Sequence, residues 1–487
     1  MRKFLLAMTA LFVAFVAAPV AGAATISVTT VNDELGGNPA ACSLREAISS
    51  ANTNSATGGC TAGLGADVIQ LPAGEYKIVR PGGGEDLNST GDFDITGSES
   101  VTIEPSGPSE KVRVDGNGLD RVFDQLGTST LQIKNLTVTG GQTPVIEDGG
   151  GVRNGGAGTL TLDGVTVSDN QATVSGGGLA VYAGVTIVNS TITDNRSAGD
   201  GGGIYAAGGT ALTVRSSTIT GNEADFDANE SGNGGGFNEA MATSVNFYNV
   251  INAGNLDGSS LPANQWPDCY STSTSYFPRY VIQSQPFSVG SCLVGFNPPG
   301  QNQVTDPMLG PLQDNGGQTQ THALLAGSPA IGAGADGTVP GDACPALDQT
   351  GRDRPVGACD IGAVQYVEPT PPPGAAKLRI KKILPKKKQI RRGRKLKVKV
   401  VVQNTGNVAA TQVKVCLKLK NRKSKKALKI KGKSCRKFTS IDAGTSVKSK
   451  IKLTTKKRAS RGKYKVQAIT KGSLLNVSKK SFKVKVR

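Results

Sequence analysis

Histidine is nearly missing from this chain: His322 is the only one among 487 residues. A Ser-His-Asp or Cys-His centre could therefore form only around that single position. Zinc and redox metals lose their commonest donor, and no Cys-x-x-Cys spacing replaces it. Aromatic residues are scarce in the basic tail over 377–487, where only Phe438, Tyr464 and Phe482 occur, so a stacking platform for single-stranded nucleic acid is not expected. After the first 23 residues, no run approaches the roughly 18 consecutive apolar residues of a membrane-spanning helix. Acid is missing from one end. From Lys377 onward the sequence holds 40 of its 55 Lys+Arg and one acidic residue, Asp442.

What is there begins with an export-type segment. Arg2 and Lys3, an apolar stretch over 4–20 and the small residues Ala21, Gly22 and Ala23 read as a signal peptide over 1–23. Eight cysteines fall into the sequence-neighbour pairs Cys42–Cys60, Cys269–Cys292, Cys344–Cys359 and Cys416–Cys435. An even count in an exported chain reads as disulfides. The net charge of +18 conceals two opposite parts: the segment before Lys377 carries −21 and the tail +39. Such asymmetry argues for separate domains with separate partners.

Between about 101 and 255 the sequence repeats. "LTLDGVTVSDN" (160–170), "VTIVNSTITDN" (185–195), "LTVRSSTITGN" (212–222) and "VNFYNVINAGN" (245–255) align, with a looser forerunner at 131. Each follows a glycine triplet, and successive copies start 25 to 33 residues apart. A period in the twenties built from short alternating strands marks a solenoid. Valine, isoleucine and threonine prevail over leucine, which favours strands on every face and a parallel β-helix over a leucine-rich repeat. Leu162, Ile187, Val214 and Phe247 should stack inside. Asn170, Asn195, Asn222 and Asn255 should stack at a turn, amide to amide. The glycine triplets lack the lysine-serine and following helix of a phosphate loop and read as close turns.

"NPAACSLREAISSANTN" (38–54) is the one clear helix signal. Ser43 and Glu46 form a capping box, and Leu44, Ala47, Ile48 and Ala51 form one apolar stripe. Lying across the first coil, such a helix would cover an open apolar end and its unpaired edges, clamped by Cys42–Cys60.

"CSLREAI" (42–48) followed by "ADVIQLPAGEY" (66–76) resembles the CSLREA-type entry region of bacterial right-handed β-helix surface proteins. "DPMLGPLQDNGGQTQTHALLAGSPAIGAGA" (306–335) and "DQTGRDRPVGACDIGAVQY" (348–366) resemble the choice-of-anchor Q block of the same proteins. The resemblance covers about 25–366 and implies an exported β-helix joined to an anchor, with no catalytic residue to carry over. After the proline-rich "VEPTPPPG", seven short alternating strands read as an immunoglobulin-like sandwich. Within it, "VVQNTGNVAATQVKV" (401–415) resembles the CARDB family, from which the lysine content departs.

The expected architecture is therefore all-β: a right-handed parallel β-helix over 24–300 with a short N-terminal capping helix, a choice-of-anchor Q-like segment completing it over 301–366, a linker over 367–376 and a basic CARDB-like, Ig-like β-sandwich over 377–487. Asp169 and Asp194 occupy one position of adjacent copies, and Asp200 precedes a glycine triplet; these are the catalytic candidates for a glycosidase or a calcium-dependent lyase. Their competing reading is turn chemistry, since Gly221 and Gly254 continue the series. His322 reads as a structural histidine. Asp225, Asp227 and Glu230 in the longest insertion are the calcium candidates, without the spacing of a known loop; no other cofactor is expected.

The tail is the strongest functional signal, because a solvated surface normally mixes both signs. Lys420, Arg422, Lys423, Lys425, Lys426, Lys429, Lys431 and Lys433, read as a hairpin-like stretch, are its expected binding residues. The expected partner is an anionic cell-wall polymer or acidic polysaccharide, without specific nucleic-acid recognition. The expected protein is a secreted or bacterial cell-surface monomer used for binding or adhesion. Two other readings compete: a secreted polysaccharide lyase or glycoside hydrolase, and a structural spacer.

Overall fold

A computed structural model describes residues 22–144, 146–260, 265–271, 276–284, 292, 302–335, 337, 343–368, 376–471 and 478–487. The signal-peptide reading falls almost wholly outside them, as does most of the linker. The chain divides into two compact units, 1–367 and 368–487.

The first unit is a right-handed parallel β-helix. Its repeat winds because each copy places short strands of alternating polarity between corners that only a left-handed backbone can turn. Leu131–Lys134, Leu160–Asp163, Val185–Val188 and Ala211–Arg215 pair in parallel and in register, forming the first face. Thr137–Thr139, Thr166–Ser168, Thr191–Thr193 and Thr218–Thr220 form the second face. The nine-residue strand Ser244–Asn252 runs through both and joins them. A short third face and a seven-stranded fourth face complete the coil. The inward column Ile26, Ile69, Ile103, Ile133, Leu162, Ile187, Val214 and Phe247 is fully buried. β-Branched side chains suit this stacking because they fit a pleated surface buried against its neighbours.

Corner residues explain the repeat's polar positions. Asn135, Asn189, Ser216 and Asn249 have positive φ between the first and second faces, a backbone that asparagine tolerates better than most residues. The asparagines that end each copy turn inward and form a ladder. Asn170 Nδ2 donates to Asn195 Oδ1, Asn195 to Asn222 and Asn222 to Asn255, each at 2.9 Å. The same oxygens also accept the backbone N–H of the preceding coil's asparagine at 3.1 Å. Buried backbone donors that the corner strips from the sheets are thereby satisfied. The glycine triplets are turns in which successive coils touch backbone to backbone.

Ser43 caps the helix Leu44–Thr53, and Glu46 returns the bond to the Ser43 amide. Leu44, Ala47, Ile48 and Ala51 are buried in one core with Ile69, Leu71, Phe93 and Ile95, so the helix closes the first coils. Arg45, inconspicuous in the sequence, is fully buried. Its Nε is 2.6 Å from Asp33 Oδ1, its other nitrogens donate to the carbonyls of Gly91 and Asp92 at 2.7 and 2.8 Å, and its guanidinium lies 4.7 Å above the Phe93 ring. Arg45→Ala strands the buried Asp33 carboxylate and is expected to cost about 3–5 kcal/mol, read as a lower denaturant midpoint for the first unit.

Residues 301–366 correct one expectation. The segment adds the short strand Gln303–Val304 to the stack, but its other described residues form an outer strap rather than further coils. The strap begins with the antiparallel pair Leu309–Gln313 and Thr321–Leu324. Thr319 Oγ1 donates to the Gly164 carbonyl at 3.1 Å, Gln349 Nε2 to Thr166 Oγ1 at 3.1 Å, and Ala363 N to Thr218 Oγ1 at 3.0 Å. The threonine rows of the second face are buried because this strap covers them. Toward the last coils the outward positions become Ile251 and Ala253, which form a second core with Leu324, Ala330, Ile361 and Val364.

The second unit is an Ig-like sandwich of a four-stranded and a five-stranded sheet around Val398, Val400, Val415, Leu453, Val466 and Val484. Among the described residues nine strands stand in place of the expected seven: Gln389–Ile390 and Leu428–Lys431 are additional. The stretch 420–433 is not a hairpin. It contains the helix Arg422–Ala427, capped by Asn421, before the strand Leu428–Lys431. Ser424 and Ala427 turn inward at i and i+3, which leaves the cations of that stretch outside.

All four expected disulfides are formed: Cys42–Cys60, Cys269–Cys292, Cys344–Cys359 and Cys416–Cys435. Among the described residues no helix is long and apolar enough to cross a membrane.

Candidate functional site

At the corner between the second and third faces lies a groove of about 530 Å³, lined by Gln142, Asp169, Gln171, Asp194, Arg196, Glu223 and neighbouring glycines. The fold builds it from the coil repeat. Asp169 follows Thr166–Ser168 and Asp194 follows Thr191–Thr193, which pair residue for residue, so the two aspartates occupy equivalent places about 4.8 Å apart along the stack. Both have positive φ, as do Gly221 and Gly254 at the same corner in the next two coils. The Asp, Asp, Gly, Gly series is therefore first a conformational one. Loss of the side chain at Gly221 also opens the groove, since a Cβ there would sit 2.8 Å from Asp194 Oδ1.

Two aspartates on one corner interact. Burial raises the Asp169 carboxyl above its usual range, and the neighbouring Asp194 raises it further. Thr193 Oγ1 lies 3.0 Å from Asp194 Oδ2 and 3.1 Å from His322 Nε2. The His322 Nδ1 faces the Gly310 carbonyl at 2.8 Å and so must carry a proton. Burial lowers the His322 pKa, against the raising effects of that carbonyl and Asp194. The lone histidine thus holds the strap against the second face behind the groove, in keeping with its structural reading. On the open side, Arg196 Nε donates to Gln171 Oε1 at 2.9 Å and its guanidinium stacks 5.2 Å from the Phe226 ring. Asn170 and Asn195 also border it with their side chains turned into the ladder, so the outward groups are three carboxylates, the two glutamine amides and one guanidinium, an array suited to the hydroxyls of a neutral glycan rather than to a polyanion.

The other acidic candidates have local structural roles. Asp200 Oδ1 accepts the Asn233 amide at 2.9 Å, and its carbonyl accepts Gly176 N at 2.9 Å; it tethers turns of adjacent coils and does not line the groove. Asp225, Asp227 and Glu230 do not converge as a threesome: burial and the adjacent Asp227 raise the Asp225 carboxyl, but Glu230 turns away. The Asp225 oxygens accept the amides of Asn229 and Glu230 at 2.9 and 3.0 Å. Glu230 reaches instead to Ser260, whose amide it accepts at 2.9 Å, and Asp227 is exposed. Sequence alone does not single out Arg196, Gln142 and Gln171 as site residues; the signal lies in their place immediately after each copy.

In the second unit, Lys420, Arg422, Lys423, Lys425, Lys426, Lys429, Lys431 and Lys433 are all exposed. Lysines also oppose lysines across the sheets: Lys397 and Lys452, Lys399 and Lys450, Lys414 and Lys437, Lys463 and Lys485, Lys465 and Lys483. No ion pair involves this unit among the described residues. Directly opposed like charges destabilise a sheet, so the free sandwich carries repulsion that a counter-charged partner would relieve. A groove of about 410 Å³ is lined by Lys418, Lys420, Gln467, Lys471 and Lys479 among others.

Residues 122–262 match the family described as "Right handed beta helix region". No curated protein matches the chain. Among solved structures, the chain is similar to an Escherichia coli α-2-macroglobulin fragment at 18% identity, over 24% of this chain and 16% of that one, with a TM-score of 0.17. It is similar to the CARDB domain of a Pyrococcus furiosus protein at 15% identity, over 23% of this chain and 93% of that one, with a TM-score of 0.15. A family 123 glycoside hydrolase from Clostridium perfringens is similar at 12% identity, over 23% of this chain and 27% of that one, with a TM-score of 0.17. These likenesses carry no functional weight.

Proposed function

We propose that the protein is an exported, cell-surface binding protein: a β-helix carrying a shallow glycan-binding groove, tethered through its basic sandwich to an anionic wall polymer or acidic polysaccharide. One observation carries the tether, the sets of directly opposed lysines in a unit with one acid. Lysine acts as a point charge, so the sandwich selects its partner by charge density rather than by sugar identity. The −21 balance of the sequence before it makes that part a poor polyanion binder and leaves the role to the tail. Four disulfides support export. The test is binding of the full chain to a defined wall polymer such as teichoic acid across a salt series. A log-linear decline gives the number of cations engaged, and salt-independent binding would refute the tether.

A second reading is favoured by two carboxyls at equivalent positions of one groove corner, Asp169 and Asp194, of which burial and the neighbouring Asp194 raise Asp169 above its usual range. A backbone spacing of about 4.8 Å along the stack lets the two carboxyls approach as closely as the roughly 5–5.5 Å of a retaining glycosidase. If the groove cleaves neutral glycans, Asp169→Asn and Asp194→Asn should each lower reducing-end release by about a hundredfold or more. If it only binds, wild type releases no reducing ends, and both variants weaken oligosaccharide binding in calorimetry.

A further inference from the structure

A buried acidic cluster lies outside the groove lining, at the capped end. Asp94 and Asp124 are direct partners across the parallel strands Phe93–Ile95 and Phe123–Gln125, and both are almost completely buried. Exposed Asp86 reaches over from the preceding loop, so that one oxygen from each of the three lies within 4.8 Å of the others.

The hydrogen bonds at this cluster are one-sided. Asp94 Oδ2 accepts the Asn88 amide at 2.7 Å. Asp124 Oδ2 accepts from Arg153 at 3.0 Å, with Arg121 Nε at 3.5 Å. The Oδ1 atoms of both aspartates are buried with no hydrogen-bond partner. Buried carboxylate oxygens without partners are costly, and the nearby guanidiniums do not satisfy them: Arg153 and Arg121 approach only the Oδ2 of Asp124. Arg45 is paired with Asp33, and Arg121 is shared among Asp92, Asp124 and Glu147.

We propose that Asp86, Asp94 and Asp124 form a calcium site that staples the 85–92 loop to two successive coils beneath the capping helix. The donors are all carboxylate oxygens, which suit a hard cation. No imidazole or free thiol is available to favour zinc, since the single histidine lies in the strap and the described cysteines are all disulfide-bonded. An irregular loop meeting two strands suits the variable coordination of calcium better than the strict octahedron of magnesium. The location gives the ion a task. Asn88, two residues from Asp86, donates to the Arg45 carbonyl and to Ser49 Oγ, each at 2.9 Å, so ordering this loop also holds the capping helix.

The test uses the full chain, stripped with EDTA and titrated with calcium chloride by calorimetry, with thermal unfolding followed in parallel. One calcium per chain is expected, with a dissociation constant of about 10⁻³ M or tighter, together with a calcium-dependent rise in the melting temperature of the first unit. Asp86→Asn should weaken binding at least about tenfold yet melt like wild type without calcium, because Asp86 is exposed and its replacement leaves the fold's buried contacts alone. Asp227→Asn, in the acidic loop of the later coils, should bind as wild type. The proposal is overturned if wild type takes up no calcium at about 10 mM, if Asp86→Asn binds unchanged, or if Asp227→Asn alone removes binding.

Discussion

Gly177→Val is expected to unfold the coil stack or to destabilise it by about 4 kcal/mol or more, well beyond an ordinary substitution. Gly177 is the central residue of a triplet, and a Cβ on it would lie 2.4 Å from the Arg196 carbonyl and 2.5 Å from the Gly202 carbonyl. Both obstacles are backbone of the next coil, so no side chain can swing aside. Relief requires neighbouring coils to separate, which lengthens their parallel hydrogen bonds and pulls Asn170, Asn195 and Asn222 out of register. Gly208→Ala is the control: its Cβ would meet nothing closer than 3.6 Å, an ordinary contact, and its chemical denaturation should stay near that of wild type. Equal behaviour of the two variants would contradict the close-approach account of the triplets.

The second large effect concerns the tail. Replacing Lys397 and Lys399 together by glutamate converts two opposed lysine pairs, with Lys452 and Lys450, into opposite-charge pairs. The sandwich should gain a few degrees in melting temperature while affinity for an anionic polymer falls on the order of tenfold or more. Stability and binding then move in opposite directions, which generic damage to the fold cannot produce. Adding the polymer to wild type should likewise raise the melting temperature of the second unit by mass action, and less so as salt is added. A variant that is both less stable and unchanged in binding would show that the lysines are only a solubilising surface.

The coil architecture is legible in the sequence because its determinants are local and periodic: inward β-branched positions, an asparagine at one corner, glycines where backbones touch. The helix is legible for the same reason, since Ser43, Glu46 and the apolar stripe all lie within ten residues. The strap is not. Thr166 and Thr191 alternate with apolar residues as exposed strand positions do, and the residue that buries them, Gln349, lies 183 and 158 positions away. Arg45 escapes notice because its partners, Asp33 and the carbonyls of Gly91 and Asp92, surround it only after the first coils close. In the tail, Leu428–Lys431 is hidden in a run of lysines whose charge masks its alternation.

The two sites are legible to different degrees. Asp169 and Asp194 stand out as equivalent positions, but their corner backbone does not, and that backbone explains why glycine replaces them. The Asp94–Asp124 pair leaves a trace in the sequence, because "FDI" at 93–95 and "FDQ" at 123–125 repeat at the coil period. What sequence cannot supply is Asp86, which a loop carries over the pair.

The most direct test of the central claim, that the basic unit tethers this β-helix by charge, is retention of the full chain on isolated bacterial cell walls before and after removal of their anionic polymers. The account predicts strong retention at about 50 mM salt, a log-linear loss on the order of a thousandfold by about 200 mM, and little retention once the polymers are gone. Retention that persists in about 1 M salt, where the Debye length is roughly 3 Å, and on polymer-free walls would contradict it and point to a specific pocket.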